Sequence, residues 1–266
     1  MAVRAGDVRF TRFNWRGWLL LLAVLAFWQS GVGLSPALRL YFPRPSEIAA
    51  ACGSLVLSGE FLNHLFATLR RFAQGYVLAG MIAVGLGIIL GYFRFAHSLV
   101  AVVIEFLRPM PSVAIIPVAV LLLGLGDSMI AAVTVYASVW PILINTIDGV
   151  RQIDQTLVHT GRTFGLSSAR ILWTVILPAA MPHIVTGLRV SLSIALILVT
   201  TAEMVAGSQG LGFFILDEER ALRTVNMYAG ILFVAIVGYG LNASFRAIEK
   251  RLMKWRRTER LSEAIS

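Results

Sequence analysis

The chain has 266 residues, of which 58% are hydrophobic and only 14% are charged, and its mean hydropathy is +0.79. A soluble domain carries about a quarter charged residues, because its surface faces water. The composition therefore argues against a soluble enzyme, a disordered chain or a nucleic-acid-binding domain, and the basic excess (23 Lys and Arg against 14 Asp and Glu) is typical of a membrane protein's loops.

Six stretches of the sequence are long and apolar enough to cross a membrane. A spanning helix needs about 20 mostly apolar residues, and runs of this length are helices rather than barrel strands. The sequence therefore predicts an all-α integral membrane protein with six transmembrane helices in a lipid bilayer. The predicted spans are Trp18–Leu34, Phe72–Gly91, Leu99–Leu123, Met129–Ile147, Ile184–Ala206 and Val225–Leu241.

The basic residues predict the orientation of the spans, since cytoplasmic loops carry an excess of Lys and Arg. With the N terminus inside, 15 basic residues fall in inner segments and six in outer segments, while Arg108 and Arg189 lie in or near spans. We therefore expect both termini in the cytoplasm (N-in/C-in). The first apolar run also fits a signal peptide, because four arginines precede a short apolar core, but no A-x-A site follows it.

The second predicted span has small residues on one face. Gly80, Ala83, Gly87 and Gly91 recur at steps of three and four residues. In lipid, such a face lets two helix backbones approach closely. The pattern predicts a helix-packing surface.

Prolines interrupt the third span at Pro109, Pro111 and Pro117, and the fourth at Pro141. Each proline removes an intrahelical hydrogen bond, so a neighbouring group or a water-lined path must satisfy the freed carbonyl. Two interpretations follow from this pattern: kinked structural helices, or broken helices along a transport pathway.

Neither a disulfide nor a metal site is predicted. Cys52 is the single cysteine, so no intrachain disulfide can form. The four histidines are scattered without a Cys or carboxylate at ligand spacing. They are His64, His97, His159 and His183.

The longest inner loop, residues 149–182, has the pattern of two short helices. The first runs over Ile153–Phe164, Gly165 interrupts it, and Ser167 is a candidate N-cap for the second. An apolar face follows, and two prolines are expected to end the second helix before the fifth span. The face comprises Ile171, Leu172, Val175 and Ile176, and the prolines are Pro178 and Pro182. The pattern alone fits a rigid cytoplasmic elbow, a helix resting on lipid headgroups, or an ordinary packed loop.

This loop resembles the signature loop of ATP-binding-cassette (ABC) importer permeases, E-A-A-x3-G-x9-I-x-L-P. Gly165, nine further residues and then Val175–Pro178 keep the second half and its spacing. The E-A-A triplet falls on His159-Thr160-Gly161, which departs from the pattern and removes the acidic residue.

Further motifs in the same order resemble the nitrate/sulfonate/taurine importer permeases over residues 66–250. They are R-P-x-P at Arg108–Pro111, N-T-x-D-G-V-R at Asn145–Arg151, L-P-A-A-x-P-x-I-x-x-G-L-R at Leu177–Arg189, A-E-M at Ala202–Met204 and G-x-x-G-L-G at Gly207–Gly212. The resemblance implies a type I ABC importer core at 66–250 with the coupling loop at 149–182. Residues 1–65 would be a cytoplasmic tail, first helix and extracytoplasmic segment, and 251–266 a basic cytoplasmic tail.

The resemblance also implies the partners. The sequence has no P-loop, so ATP hydrolysis must reside on another polypeptide, and no cofactor is expected in this chain. A second permease copy, two cytoplasmic ATPases that bind ATP and magnesium, and an extracytoplasmic substrate-binding protein are implied, in a bacterial inner membrane. We expect a transport subunit that is not an enzyme and binds no nucleic acid.

The predicted contact surface for the ATPase lies in the coupling loop, where Gly165 permits a bend while Phe164 and Leu166 supply apolar contacts. Arg162 and Arg170 are either charged rim contacts or anchors at the headgroups. The predicted coupling residues are His159, Gly161, Arg162, Phe164, Gly165, Leu166, Ser167, Leu177 and Pro178.

Arg108 and Asn145 are two of four candidate pathway residues. Ionisable groups in spans are costly, so each calls for a reason. Arg108 either pairs with Glu105 on the same helix or meets an anionic substrate. Asn145 either caps the inner end of the fourth helix or contacts substrate.

Arg189 and Glu203, on the fifth span, are the other two candidates. Arg189 either snorkels to the inner surface or faces the pathway. Glu203 lies where the resemblance places an acid of the gate region. It either hydrogen-bonds a re-entrant segment at Gly207–Leu216 or contacts substrate.

The leading hypothesis is thus a permease for a small anion such as a sulfonate, taurine or nitrate, with a pyrimidine vitamin precursor or an aromatic acid as alternative substrates. A secondary transporter or channel with its own ion coupling is the alternative function. Such proteins often carry inverted repeats and buried carboxylates, and the sequence shows no convincing repeat and few acids in spans. An intramembrane enzyme would need a nucleophile and base, or metal ligands, in the spans, and none is evident.

Overall fold

A computed structural model describes residues 15–32 and 41–253, apart from the side chain of Leu252. Within these ranges the chain forms helices and turns, without a strand. The helices are α1 (Trp15–Gly31), α2 (Pro45–Leu57), α3 (Gly59–Tyr92), α4 (Arg94–Leu107), α5 (Ile116–Leu123), α6 (Asp127–Arg151), α7 (Gln155–Thr163), α8 (Ser168–Ala206), α9 (Leu211–Arg220) and α10 (Thr224–Leu252). Residues 1–14 and 33–40 of the predicted N-terminal segment 1–65 lie outside the described residues, and so do residues 254–266 of the predicted tail 251–266. The end of the first predicted span, at positions 33 and 34, is among them.

Four helices in the described ranges, α3, α6, α8 and α10, are long and apolar enough to cross a membrane. They correspond to the second, fourth, fifth and sixth predicted spans. The third predicted span, Leu99–Leu123, is interrupted, as its prolines predicted: α4 and the residues from Ser112 to Leu123 form a pair bent by 92°, which can count as a fifth span. The break falls at Arg108–Pro111, where the two prolines cannot continue the helix. The helix α1 has 17 residues, so the prediction of six spans stays a prediction.

The core of the bundle is made by α6, which packs along both α3 and α8. On α3, buried small residues face α6 at every fourth position: Gly75, Ala79, Ala83, Gly87 and Gly91. A Cβ added at Gly87 would lie 2.5 Å from the Cβ of Thr146, and one at Gly91 would lie 2.6 Å from the Cβ of Val150. The predicted packing surface is therefore confirmed, except that Gly80 faces α8 instead.

The proline in α6 is accommodated by contacts with α8. A Cβ at Gly187 would lie 2.9 Å from the carbonyl oxygen of Pro141, so the two backbones are in contact at the proline. One turn away, the buried Ser191 hydroxyl donates to the carbonyl of Ser138 at 2.8 Å. A neighbouring helix thus supplies a polar contact one turn before Pro141.

Candidate functional site

The elbow, residues 152–176, lies between α6 and α8 and begins with the short helix α7. Asp154 is its N-cap and accepts a hydrogen bond from the Thr156 N–H at 2.8 Å. Hydrogen bonds from Thr156 lower the pKa of the Asp154 carboxyl below its ordinary value. The sequence placed the start of this helix correctly within two residues but did not identify the cap.

The bend after α7 is a Schellman motif. The Leu166 N–H donates to the Gly161 carbonyl at 3.1 Å, and the Gly165 N–H donates to the Arg162 carbonyl at 2.9 Å. Gly165 has φ +74°, in the left-handed region that favours glycine. The bend predicted at Gly165 is confirmed.

The helix after the bend continues into the membrane-spanning segment. Ser167 caps it, accepting from the Arg170 N–H at 3.4 Å, as predicted. The prediction that Pro178 and Pro182 end this helix is wrong, because α8 runs unbroken from Ser168 to Ala206. A π turn at Leu172–Ile176 precedes the prolines, with the Leu177 N–H donating to the Leu172 carbonyl, and regular helix resumes with Pro178 in its first turn.

The apolar side of the elbow packs on the ends of the long helices. The buried side chains of Val158, Ile171 and Ile176 form one cluster with Val150 of α6 and Ile184 of α8. The predicted apolar face is therefore confirmed, and it faces the protein itself. The elbow therefore packs on both α6 and α8 and is rigidly connected to these two helices.

The opposite side of the elbow is exposed. Of the predicted coupling residues, the exposed ones are His159, Arg162, Phe164, Gly165, Ser167 and Pro178, whereas Leu166 and Leu177 are half-buried and Gly161 is buried. Phe164 is 80% exposed. Two exposed apolar residues of the elbow were missed, Leu157 (51%) and Trp173 (67%). The sequence signal for their exposure was that both residues lie outside the predicted apolar face.

Two of the predicted pathway residues, Arg108 and Asn145, line one cavity of about 380 Å³. It lies between the break after α4, α6 near Pro141, and α8, with Trp140 and Ser112 also in its lining. Asn145 does not cap α6, which continues to Arg151; its amide donates instead to the Pro141 carbonyl at 2.8 Å. The predicted Glu105–Arg108 pair is absent from the ion pairs of the described residues, and Arg108 is exposed at the end of α4.

The other two predicted pathway residues lie away from this cavity. Arg189 forms an ion pair with Glu249 of α10. Glu203 is fully buried at the end of α8 opposite the elbow. Its carboxylate accepts from the Gly212 N–H at 3.1 Å, which confirms the predicted hydrogen bond to the re-entrant segment.

Glu203 belongs to a polar cluster with Thr68, Arg71 and Asp127. The Thr68 hydroxyl donates to Glu203 Oε2 at 2.8 Å, and Arg71 Nη1 donates to Glu203 Oε1 at 3.0 Å. Arg71 Nε also donates to Asp127 Oδ1 at 2.7 Å. The cluster therefore joins α3, the first residue of α6 and the end of α8.

The polar cluster also holds the segment before α9. Arg71 donates to the Gln209 carbonyl at 2.5 Å, and the Leu211 N–H donates to the Thr68 hydroxyl at 2.7 Å. Arg71 is one of the six basic residues that the orientation prediction assigns to outer segments. Its adjacency to an apolar span was the only signal of its burial in the sequence. No group of three or more His, Cys, Asp or Glu residues in the described ranges could hold a metal ion.

Comparisons with known proteins agree on one family. Residues 83–257 match the family described as "Binding-protein-dependent transport system inner membrane component". The chain is 31% identical over 246 residues to the putative aliphatic sulfonates transport permease protein SsuC of Bacillus subtilis (strain 168), covering 92% of this chain and 89% of that relative. It is 29% identical over 240 residues to the taurine transport system permease protein TauC of Escherichia coli (strain K12), covering 88% of this chain and 87% of TauC.

A solved structure shares the fold. A chain of a bacterial alginate ABC transporter, in complex with an alginate pentasaccharide-bound periplasmic protein, superposes with a TM-score of 0.62 at 15% identity. The match covers 91% of this chain and 96% of that chain.

Proposed function

Because this chain belongs to the family of binding-protein-dependent transport system inner membrane components, we propose that it forms half of the translocation pathway of an ATP-driven importer. The chain is an ABC transporter permease, a transport subunit and not itself an enzyme. In the proposed assembly two copies pair about a two-fold axis. Two cytoplasmic ATPases hold ATP and magnesium, and an extracytoplasmic protein delivers substrate. Six spans with both termini inside, in a bacterial inner membrane, complete the proposal.

The observation that carries this function is the continuity between the elbow and the pathway helix. The helix α8 starts inside the elbow at Ser168 and ends beside the polar cluster at Ala206. Its 39 residues correspond to about 58 Å of helix. An ATPase that grips the exposed side of the elbow would therefore move α8 along its whole length, and alternate the pathway between inward- and outward-facing states.

The proposed substrate is a small anion such as an organic sulfonate. Two relatives are named for aliphatic sulfonates and taurine. The cavity between α4, α6 and α8 offers the Arg108 guanidinium beside the polar Asn145, with no acidic side chain in its lining. A guanidinium binds sulfonate oxygens through charge-assisted hydrogen bonds.

The coupling proposal is tested with Phe164→Asn in the full chain. Because Phe164 is 80% exposed on the elbow, the change removes a candidate hot spot without creating a cavity. We expect binding of the cognate ATPase to weaken roughly tenfold or more, measured by titration in lipid nanodiscs, together with loss of ATPase stimulation by loaded binding protein.

The matched control for this experiment is Leu222→Asn, which makes the same polar change at the other end of the bundle. Leu222 is 73% exposed and has φ +56°, a conformation that asparagine tolerates well. This variant should bind the ATPase as the parent does. If both variants bind the ATPase equally well, the elbow is not the coupling surface.

The substrate proposal predicts that Arg108→Gln raises the concentration of sulfonate required for half-maximal uptake. Loss of one charge-assisted hydrogen bond corresponds to roughly a tenfold increase. The half-maximal concentration is measured from the uptake of labelled taurine into proteoliposomes that contain the ATPase and are supplied with the binding protein. Glu105→Gln, one turn earlier and outside the cavity lining, is the control. An unchanged half-maximal concentration in Arg108→Gln would remove this residue from the pathway.

A further inference from the structure

A second cavity, of about 630 Å³, lies at the elbow end of the bundle. Three arginines from different elements line it: Arg94 at the start of α4, Arg151 at the end of α6 and Arg162 of α7. Tyr92 and Gln155 complete its polar lining. We refer to this as the basic cavity. It is separate from the cavity that contains Arg108.

None of the three arginines has a carboxylate partner in the described part of the chain. The ion pairs found there involve other residues, and no acidic side chain lines the basic cavity. Asp154 precedes the lining residue Gln155, but its carboxylate accepts a hydrogen bond as the N-cap of α7. Three like charges on one cavity repel each other, which an anion bound among them would offset.

The position of the basic cavity matches the surface of a membrane. Arg94 follows Phe93 and precedes Phe95, which are 55% and 76% exposed apolar side chains at the end of the long apolar helix α3. A basic group beside exposed aromatic rings is typical of the level at which phospholipid headgroups lie. The N-terminus of α4, which has no side-chain cap, adds unpaired backbone N–H groups at the same place.

We propose that the basic cavity binds a phosphate group, supplied by an anionic phospholipid headgroup or by free phosphate. Planar guanidinium groups bind phosphate oxygens in pairs. The bound phosphate would tie α7 of the elbow to the start of α4 and the end of α6. This site goes beyond the importer function, since it requires neither ATP nor transported substrate.

The test uses the full chain in detergent, without the ATPase. Phosphatidylglycerol is titrated against phosphatidylcholine and bound lipid is counted by native mass spectrometry. In a second arm, inorganic phosphate is compared with chloride at equal ionic strength by thermal unfolding. We expect each single Arg→Gln change to weaken binding about fivefold, and the triple variant of Arg94, Arg151 and Arg162 about 100-fold. Arg220→Gln, an exposed arginine at the other end of the bundle and outside the cavity lining, should bind as the parent does.

The two arms distinguish the sources of the phosphate. Preference for phosphatidylglycerol alone identifies the headgroup, and stabilisation by inorganic phosphate identifies the free ion; either result supports the site. The proposal is overturned if the triple variant binds both probes as tightly as the parent. If the triple variant does not fold, the same result from each single variant overturns it.

Discussion

Replacing Arg71 by methionine is expected to lower the free energy of unfolding by about 3–5 kcal/mol, whereas the same change at Arg70 is expected to cost less than about 1 kcal/mol. Arg71 is 4% exposed and contacts Glu203, which is fully buried. Removing the guanidinium leaves the Glu203 carboxylate buried without its opposite charge. Arg70 is the neighbouring residue in sequence, but its side chain is 59% exposed, and the side chain of its partner Asp127 is 46% exposed.

The measurement is equilibrium unfolding of the detergent-solubilised chain, with Arg70→Met as the matched control. A third variant combines Arg71→Met with Glu203→Met, so that no uncompensated charge remains. We expect it to be more stable than Arg71→Met alone, although Thr68 and the Gly212 N–H then lose their acceptor. Equal losses of unfolding free energy from Arg70→Met and Arg71→Met would show that burial of the Arg71–Glu203 pair does not govern the stability of the polar cluster.

The polar cluster also limits how α8 can move. A motion that separated α8 from α3 at this end would break a buried ion pair and leave both charges poorly solvated. A motion that carries α3, α6 and α8 together keeps all of these contacts. The elbow is packed on α6 and α8 at the opposite end, so both ends of α8 favour movement of the three helices as one body.

Hydropathy predicted the central helices because the bilayer imposes a length and an apolar composition on any spanning helix. The helices α3, α6, α8 and α10 each contain the predicted span and extend beyond it. The extensions were missed because polar residues at helix ends lower hydropathy without breaking the helix. In α3 this hid 13 residues, Gly59 to Arg71, among them two members of the polar cluster.

The effect of prolines could not be predicted from local rules. Pro109 and Pro111 coincide with a 92° break, whereas Pro178 and Pro182 lie within a continuous helix. The difference arises from what surrounds each proline. The π turn at Leu172–Ile176 and the apolar cluster beneath the elbow hold the backbone before Pro178, and a window of local sequence contains neither contact.

The polar cluster was only half predicted. A hydrogen bond from the Gly207–Leu216 segment was one of the two interpretations of Glu203, and the structure shows that bond. Arg71 lies 132 residues away in sequence, and no periodicity in a single sequence links such a pair. The cavity that joins Arg108 and Asn145 depends on the direction of the break after α4, which the sequence does not specify, so their proximity could not be derived.

Gly212→Ala is expected to destabilise the protein by about 3 kcal/mol, because there is no space for a methyl group at this position. A Cβ there would lie 2.0 Å from the carbonyl oxygen of Thr200 and 2.9 Å from the Cβ of Glu203. Both atoms belong to the buried end of α8, so neither can rotate away. To admit the methyl group, the start of α9 must withdraw from α8, which stretches the Gly212 hydrogen bond to Glu203.

The control for Gly212→Ala is Gly85→Ala in α3, where an added Cβ meets nothing within 4 Å. Alanine is favoured over glycine in a helix by roughly 1 kcal/mol, so this variant should be as stable as the parent or more stable. Unfolding of both variants in the same detergent gives the comparison. Gly212 is the last residue of the G-x-x-G-L-G motif. A large loss of stability from the change at Gly212, but not from the change at Gly85, would therefore assign the motif a packing role. In that role the glycine lets the α8 backbone pack against α9, which keeps the buried carboxylate of Glu203 hydrogen-bonded. Equal stability of the two variants would contradict that role.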